Sequence, residues 1–293
     1  MLSALRVLLL KRTYLPVKRT CWLVIGAFCL VQSAVAEAPL RVLTSIKPLQ
    51  LIALAVGGDA IRVDALLAPQ FSPHDYQLRP SDRAKLGDAD VIFWIGPQLE
   101  AFLQPALNAL SERATIVSLQ DAEADPHVWM DPIAAVQIAH RMAAVFTETR
   151  PGQRGYFNAN ADRLVAALAQ QDADHRAQLK QLSVLPGFMV SHDAYSRFER
   201  RYGLAHRAAL TNAADMPPSA KSLLNIEREL ADGSITCIWR QPQENKLYQR
   251  LVAERNIRAV TIDAMAAQIP NGTDGVLLFY QRLWEAVMSC LTD

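Results

Sequence analysis

Three short stretches of this chain place a histidine where the local backbone would aim it: Ser72-Pro73-His74-Asp75-Tyr76, Asp125-Pro126-His127-Val128-Trp129-Met130-Asp131-Pro132 and Ser191-His192-Asp193-Ala194-Tyr195. In the second, two Asp-Pro pairs flank the histidine, and each proline pushes the residue before it out of the helical region. That stretch is expected to be a pinned, irregular loop. A lone loop histidine is more often a surface or packing residue than a ligand. Three in similar settings, each at or just beyond an expected strand end, point to imidazoles gathered around one divalent ion.

Bringing them together is the task of the elements between them. Strands are expected at 41–45, 61–67, 91–95 and 114–119, alternating with helices at 48–56, 80–89 and 98–110. The run Val91-Ile92-Phe93-Trp94-Ile95 has the unbroken apolar character of a strand covered on both faces, and alternation at this spacing builds a parallel sheet flanked by helices. A helix at 133–147 follows. Beyond Pro151-Gly152, Leu164, Leu168, Leu179 and Leu182 recur at helical spacing across 153–182. A helix of that length spans about 45 Å at 1.5 Å per residue, which suits a strut between two lobes. Alternation then resumes, with strands at 187–191, 204–209, 235–239 and 258–262 and helices at 194–202, 218–230, 244–256 and 273–291.

The expected fold class is therefore α/β, with two lobes, each a parallel-rich sheet flanked by helices, joined by one long rigid helix. The expected divisions are 37–150 for the first lobe, 151–183 for the linking helix and 184–293 for the second lobe. Ligands of open α/β sheets sit beyond the carboxyl ends of the strands. His74 and His127 follow strands of the first lobe, His192 ends the first strand of the second, and Asp263 follows the strand at 258–262. Four ligands would thus meet in an interlobe cleft. Three neutral imidazoles with a carboxylate or a water match zinc, whereas manganese asks for more oxygen.

Composition narrows the setting. Residues 1–36 combine Arg6, Lys11, Arg12, Lys18 and Arg19, no acid, a short apolar run and Ala34-Val35-Ala36, the pattern of a secretory leader cut before Glu37. A lipoprotein alternative would use Cys29, but Phe28 is bulky where a small residue is expected. The leader holds five of the 30 Lys and Arg and none of the 29 Asp and Glu, so the remaining chain has a net charge of −4. Such a balance argues against nucleic acid, whose phosphates demand clustered Lys and Arg. Without the leader only Cys237 and Cys290 remain, an even pair in an oxidising compartment. A disulfide is the natural reading, tying the last helix to the strand holding Cys237; two buried free thiols or a thiolate metal site are the alternatives.

Together the histidine stretches, Pro80-Ser81-Asp82, Pro242-Gln243 and Asp263 resemble the zinc-binding branch of the metal-specific solute-binding proteins that feed bacterial ABC importers. The likeness spans essentially the whole chain after the leader, and the Cys237/Cys290 pair is similar to that of zinc members. The resemblance implies a periplasmic protein that captures Zn2+ without catalysis and hands it to an ABC permease with its ATPase. It implies His74, His127 and His192 as metal ligands, with Asp263 at a position that is a ligand in some members only. A monomer is expected, and an exported zinc chaperone is an open further partner. The chain also departs from the family. The long His-rich and acid-rich loop of many members is reduced to Asp121-Ala122-Glu123-Ala124-Asp125, and Arg240-Gln241 precede Pro242-Gln243 where Glu is common.

Other residues have plainer readings. His140, His175 and His206 are read as solvated or packing residues, and Trp94 and Trp129 as core. Asp75 and Asp193 could orient an imidazole or cap the following helix. Rival functions are a manganese or iron binder, a metal-dependent adhesin, and a secreted zinc hydrolase, since three histidines and an open position also hold catalytic zinc. No H-E-x-x-H occurs to support the last. Metal affinity is expected to fall below about pH 6, because protonated imidazole cannot ligate.

Overall fold

The computed structural model describes residues 37–123, 125–242, 248, 251–252, 255 and 257–292. The expected leader at 1–36, Gln243, and most of the helix expected at 244–256 lie outside them. The first sheet is built from β1 (Leu40–Thr44), β2 (Ile61–Ala65), β3 (Val91–Trp94) and β4 (Thr115–Ser118), all parallel, in the order β2-β1-β3-β4. Central β3 is buried at every position, whereas edge strand β2 alternates buried and exposed, as its Ile61-Arg62-Val63-Asp64 sequence dictates. The second sheet comprises β5 (Phe188–Val190), β6 (Ala208–Ala209), β7 (Cys237–Arg240) and β8 (Arg258–Thr261), again parallel, in the order β6-β5-β7-β8. The two sheets thus repeat one winding.

Helices supply the remaining layers: α1 (Lys47–Gly57), α2 (Pro80–Asp88), α3 (Pro97–Glu100), α4 (Gln104–Asn108), α5 (Pro132–Thr149), α6 (Arg154–Leu179), α7 (Ser196–Tyr202), α8 (Ala220–Ala231) and α9 (Gly275–Thr292). The helix expected at 98–110 is broken into α3 and α4, and the strand expected at 204–209 pairs only over its last two residues. Each sheet has an outer core of its own. Leu43, Ile92, Trp94 and Leu107 fill that of the first, and Met189, Ile238, Leu230 and Leu251 that of the second.

The inner faces share a single core. Val42, Phe93, Phe146, Phe157, Phe188, Trp239 and Val287 belong to one continuous apolar cluster, and Pro39–Asp293 forms one compact unit. The long helix α6 runs for about 39 Å at 1.5 Å per residue and touches both sheets' helices. Its Asn160 Nδ2 donates to the Val56 carbonyl on α1 at 3.0 Å, while Gln171 Nε2 donates to the Leu277 carbonyl on α9 at 3.0 Å. Cys237 of β7 and Cys290 of α9 are joined in a disulfide, Cα to Cα 5.8 Å. Among the described residues no helix is long and apolar enough to cross a membrane.

Candidate metal centre

The loop that carries His74 leaves β2 and is fixed at its far end by α2. Asp82, in the first turn of α2, accepts from the Arg79 N–H at 2.9 Å and from the buried Tyr76 hydroxyl at 2.8 Å. Arg79 in turn lies over the Phe71 and Tyr76 rings. Pro80-Ser81-Asp82 thus anchors the histidine loop from outside the site. Near the histidine itself, the Ser72 hydroxyl accepts from the His74 N–H at 3.2 Å.

His127 follows β4 and sits in the irregular stretch that its flanking prolines require, ahead of a 3-10 turn at Val128–Met130. Asp125 Oδ1 accepts from the His127 N–H at 3.0 Å and lies 2.8 Å from its Nδ1. A carboxylate can only accept, so the ring proton sits on Nδ1 and the Nε2 lone pair is left bare. Asp131 closes the stretch as the N-cap of α5, accepting from the Ile133 N–H at 2.8 Å.

The third histidine reaches the same state by a different route. His192 follows β5, and its Nδ1 lies 2.9 Å from Thr211 Oγ1. The Thr211 hydroxyl donates to Asp215 Oδ1 at 2.9 Å, so its oxygen is free to accept from the His192 Nδ1–H. Again Nε2 is the available donor atom. Neither Thr211 nor Asp215 stands out in the sequence; only the fold brings the stretch after β6 beneath the ring.

The three rings form a nearly equilateral triangle, with centroids 5.4, 5.3 and 5.2 Å apart. Ligand atoms of all three lie within 4.8 Å of one another, the sole such group among the described residues. His74 Nε2 and His127 Nε2 are 3.3 Å apart. For metal–nitrogen bonds of about 2.0–2.1 Å, a tetrahedral angle separates neighbouring donors by about 3.3–3.4 Å. The spacing fits a zinc-sized ion. Burial, reinforced by His127 nearby, pushes the His74 and His192 pKa values down to about 4, so both rings are neutral and ligand-ready at neutral pH.

Asp263, two residues beyond the end of β8, lines the same cavity but is not among the convergent atoms. Its Oδ2 accepts from the Gln268 N–H at 3.0 Å. The geometry therefore presents three nitrogens and an open fourth direction, facing a cavity of about 250 Å³ whose walls include Phe71, Trp129, Pro242 and Met265. Trp129 is both core and wall. It is 2% exposed, packs edge-on to His127 and donates from Nε1 to the Ala264 carbonyl of the second lobe at 2.8 Å.

The remaining candidates take structural places. Asp193 Oδ1 accepts from the Ser196 hydroxyl at 2.6 Å, which puts it at the start of α7, and Asp75 is exposed. His140 is exposed on α5. His175 is stacked on Trp284 at 4.4 Å, and His206, which lies ahead of β6 rather than within a strand, has Nδ1 2.9 Å from Glu199 Oε1. Arg240 ends β7, where its carbonyl accepts from the Ile262 N–H at 2.8 Å.

A family model described as the zinc-uptake complex component A, periplasmic (ZnuA), matches residues 42–287. The high-affinity zinc uptake system protein ZnuA of Yersinia pestis is 29% identical, over 87% of this chain and 92% of that protein. A crystal structure of a ZnuA deletion mutant with zinc bound superposes with a TM-score of 0.73 at 23% identity, over 85% of this chain and 98% of the other. The laminin-binding protein Lmb of Streptococcus agalactiae, described as a bifunctional protein with adhesin and metal transporting activity, superposes with a TM-score of 0.76 at 20% identity, over 86% of this chain and all of the other.

Proposed function

The chain belongs to the ZnuA family of periplasmic zinc-uptake components, and from that premise we propose that its cargo is held by His74, His127 and His192. It is a periplasmic zinc-binding protein of high-affinity zinc uptake, with Zn2+ as its bound ligand, and its family works with an ABC permease and an ATPase. The observation that carries the ligand assignment is the convergence of three imidazoles whose Nδ1 or backbone partners come from both sheets. A single ion would be gripped by residues after β2, β4 and β5, so capture and the relation between the lobes are one event. The fourth position belongs to water or to Asp263, whose carboxylate lines the cavity and would have to leave the Gln268 N–H to reach the ion.

The donor set supports zinc over manganese or iron. Three nitrogens and at most one carboxylate suit a borderline ion, while manganese prefers a site richer in oxygen. Catalysis gains little support. Among the described residues the carboxylates lining the cavity are Asp215 and Asp263, and they already accept from Thr211 and Gln268. An adhesin role rests on likeness of fold to Lmb at 20% identity. We read residues 1–36 as a removable leader, 37–150 and 184–293 as the lobes and 151–183 as their link, and the protein as a monomer. Delivery of zinc to it by another exported chaperone remains a partner to be sought. Zinc stoichiometry and competition titration of the wild type beside single alanine substitutions of His74, His127, His192 and Asp263 test the assignment. Stoichiometric zinc that survives loss of any one histidine with unchanged affinity would remove that residue from the site.

A further inference from the structure

The short acidic loop ahead of His127 is gripped from the other side of the cleft. Arg197 lies on α7, the helix that follows His192, and its side chain is 2% exposed. Its two terminal nitrogens donate to Asp121 Oδ2 and Oδ1 at 2.7 Å each. Its Nε donates to the Asp125 carbonyl at 2.8 Å, a carbonyl that Nη2 shares. Glu123 Oε1 and Asp125 Oδ2 stand 3.7 and 3.8 Å from the same guanidinium, and Arg200 pairs with Glu123 outside it. Asp125 is the residue that holds both the N–H and the ring Nδ1 of His127.

These contacts form a chain from one sheet's ligand to the other's. Asp121, Glu123 and Asp125 crowd three carboxylates into one short segment, which would spread apart without a cation among them. A guanidinium can bridge a carboxylate with two parallel bonds and reach a carbonyl at the same time; an ammonium cannot. We propose that Arg197 is a positioning residue for zinc: it clasps the His127 loop to the helix behind His192, and release of the ion requires this clasp to open. The inference rests on the assignment of His127 as a ligand. Asp121 and Glu123 of the shortened acidic loop are on this view the counterpart of Arg197 and not a remnant.

The test is the rate at which zinc leaves, followed with a fast chelating dye on the full chain loaded with zinc alone. Arg197→Gln should raise it about 10–100-fold, the range that outer partners of metal ligands command. Arg197→Lys, which keeps the charge but loses the fork, should fall between. Arg201→Gln serves as the comparison, because Arg201, on α7 like Arg197, makes a similar pair with Asp172 of α6, at 2.8 and 2.5 Å, without touching the loop. A purely structural ion pair predicts that both glutamine variants act alike; the clasp predicts that Arg201→Gln leaves the release rate within twofold. Combining Arg197→Gln with Asp125→Asn should add little to the larger single effect, since both act through His127. Release within twofold of wild type in Arg197→Gln, or equal acceleration in Arg201→Gln, overturns the proposal. If Arg197→Gln does not fold, Arg197→Lys decides: release at the wild-type rate overturns it. Should wild type fail to bind zinc, or His127→Ala bind it unchanged, the ligand assignment falls instead, and the two failures are told apart.

Discussion

The imidazoles of His127 and His192 are fixed from behind by Asp125 and Thr211, and this preparation determines how the site responds to substitution and to acid. Loss of a ring, as in His192→Ala, removes a donor nitrogen and should weaken zinc binding well beyond the roughly 10–100-fold that outer partners command. Thr211→Val leaves the ring in place but removes the acceptor for its Nδ1–H, so a loss within that range is expected. Competition with a chelating dye measures both, and a Thr211→Val protein of wild-type affinity would show that the hydroxyl does not orient the ring. The pH response follows from burial. His74, His192 and, under Trp284, His175 are all pushed down to about 4, mainly by loss of solvent, against about 6.5 in the unfolded chain. Below 6.5 the unfolded state binds more protons than the folded one, so stability is full above that pH and falls as the pH drops toward 4. Denaturant unfolding of the zinc-free protein should show this loss between pH 7 and 5. Zinc binding should weaken as the pH falls toward 4 and His74 and His192 take up protons that compete with the ion.

At the level of elements, loop ends matter more than helix interiors. His74 depends on Asp82 in the first turn of α2, and His127 depends on a stretch held between Asp125 and the cap Asp131. On the opposite flank, α9 is tied to β7 by the Cys237–Cys290 disulfide, across a sequence separation of 53. Closing a loop of that size restricts the unfolded chain by about 4 kcal/mol in the chain-entropy model. Cys237→Ala with Cys290→Ala should lower the unfolding free energy by about that amount. Since the bond is remote from the three histidines, zinc affinity should change by no more than a few fold. A large loss of affinity with little loss of stability would mean that the disulfide shapes the cleft directly.

For the whole molecule, the continuous core means that the lobes are not independent bodies joined by a string. Phe157, Leu164 and Leu168 of α6 are buried in the same cluster as residues of both sheets. The site side of the cleft is bridged as well, by Trp129 to Ala264 and by Lys47 Nζ, which donates to the Ala267 carbonyl at 3.3 Å. An ion held by residues of both sheets should therefore stabilise the whole unit. Free zinc at about 1,000 times its dissociation constant adds about 4 kcal/mol to the folded state. A calorimetric scan should show one transition moving upward with zinc and returning on addition of a chelator. Separate transitions, only one of them responding to zinc, would show that the ion engages a single lobe.

What the sequence determined by itself was local. Proline before and after His127 excludes a continuous α-helix through that stretch, the apolar run at Val91–Trp94 makes a doubly covered strand, and strand ends locate His74, His192 and Asp263. Strand–helix alternation fixed the two-sheet plan because period and spacing are properties of neighbouring residues. Only the tertiary structure decided which groups stand behind the rings. Thr211, Asp215 and Arg197 lie 19, 23 and 70 positions from the histidines they serve, and no local pattern marks them. It also decided that the Asp263 carboxylate turns to the Gln268 N–H while three nitrogens converge. The physical reason is that a coordination site is satisfied by distances of a few ångströms, set by how two sheets pack on one core, and sequence spacing carries no information about that packing.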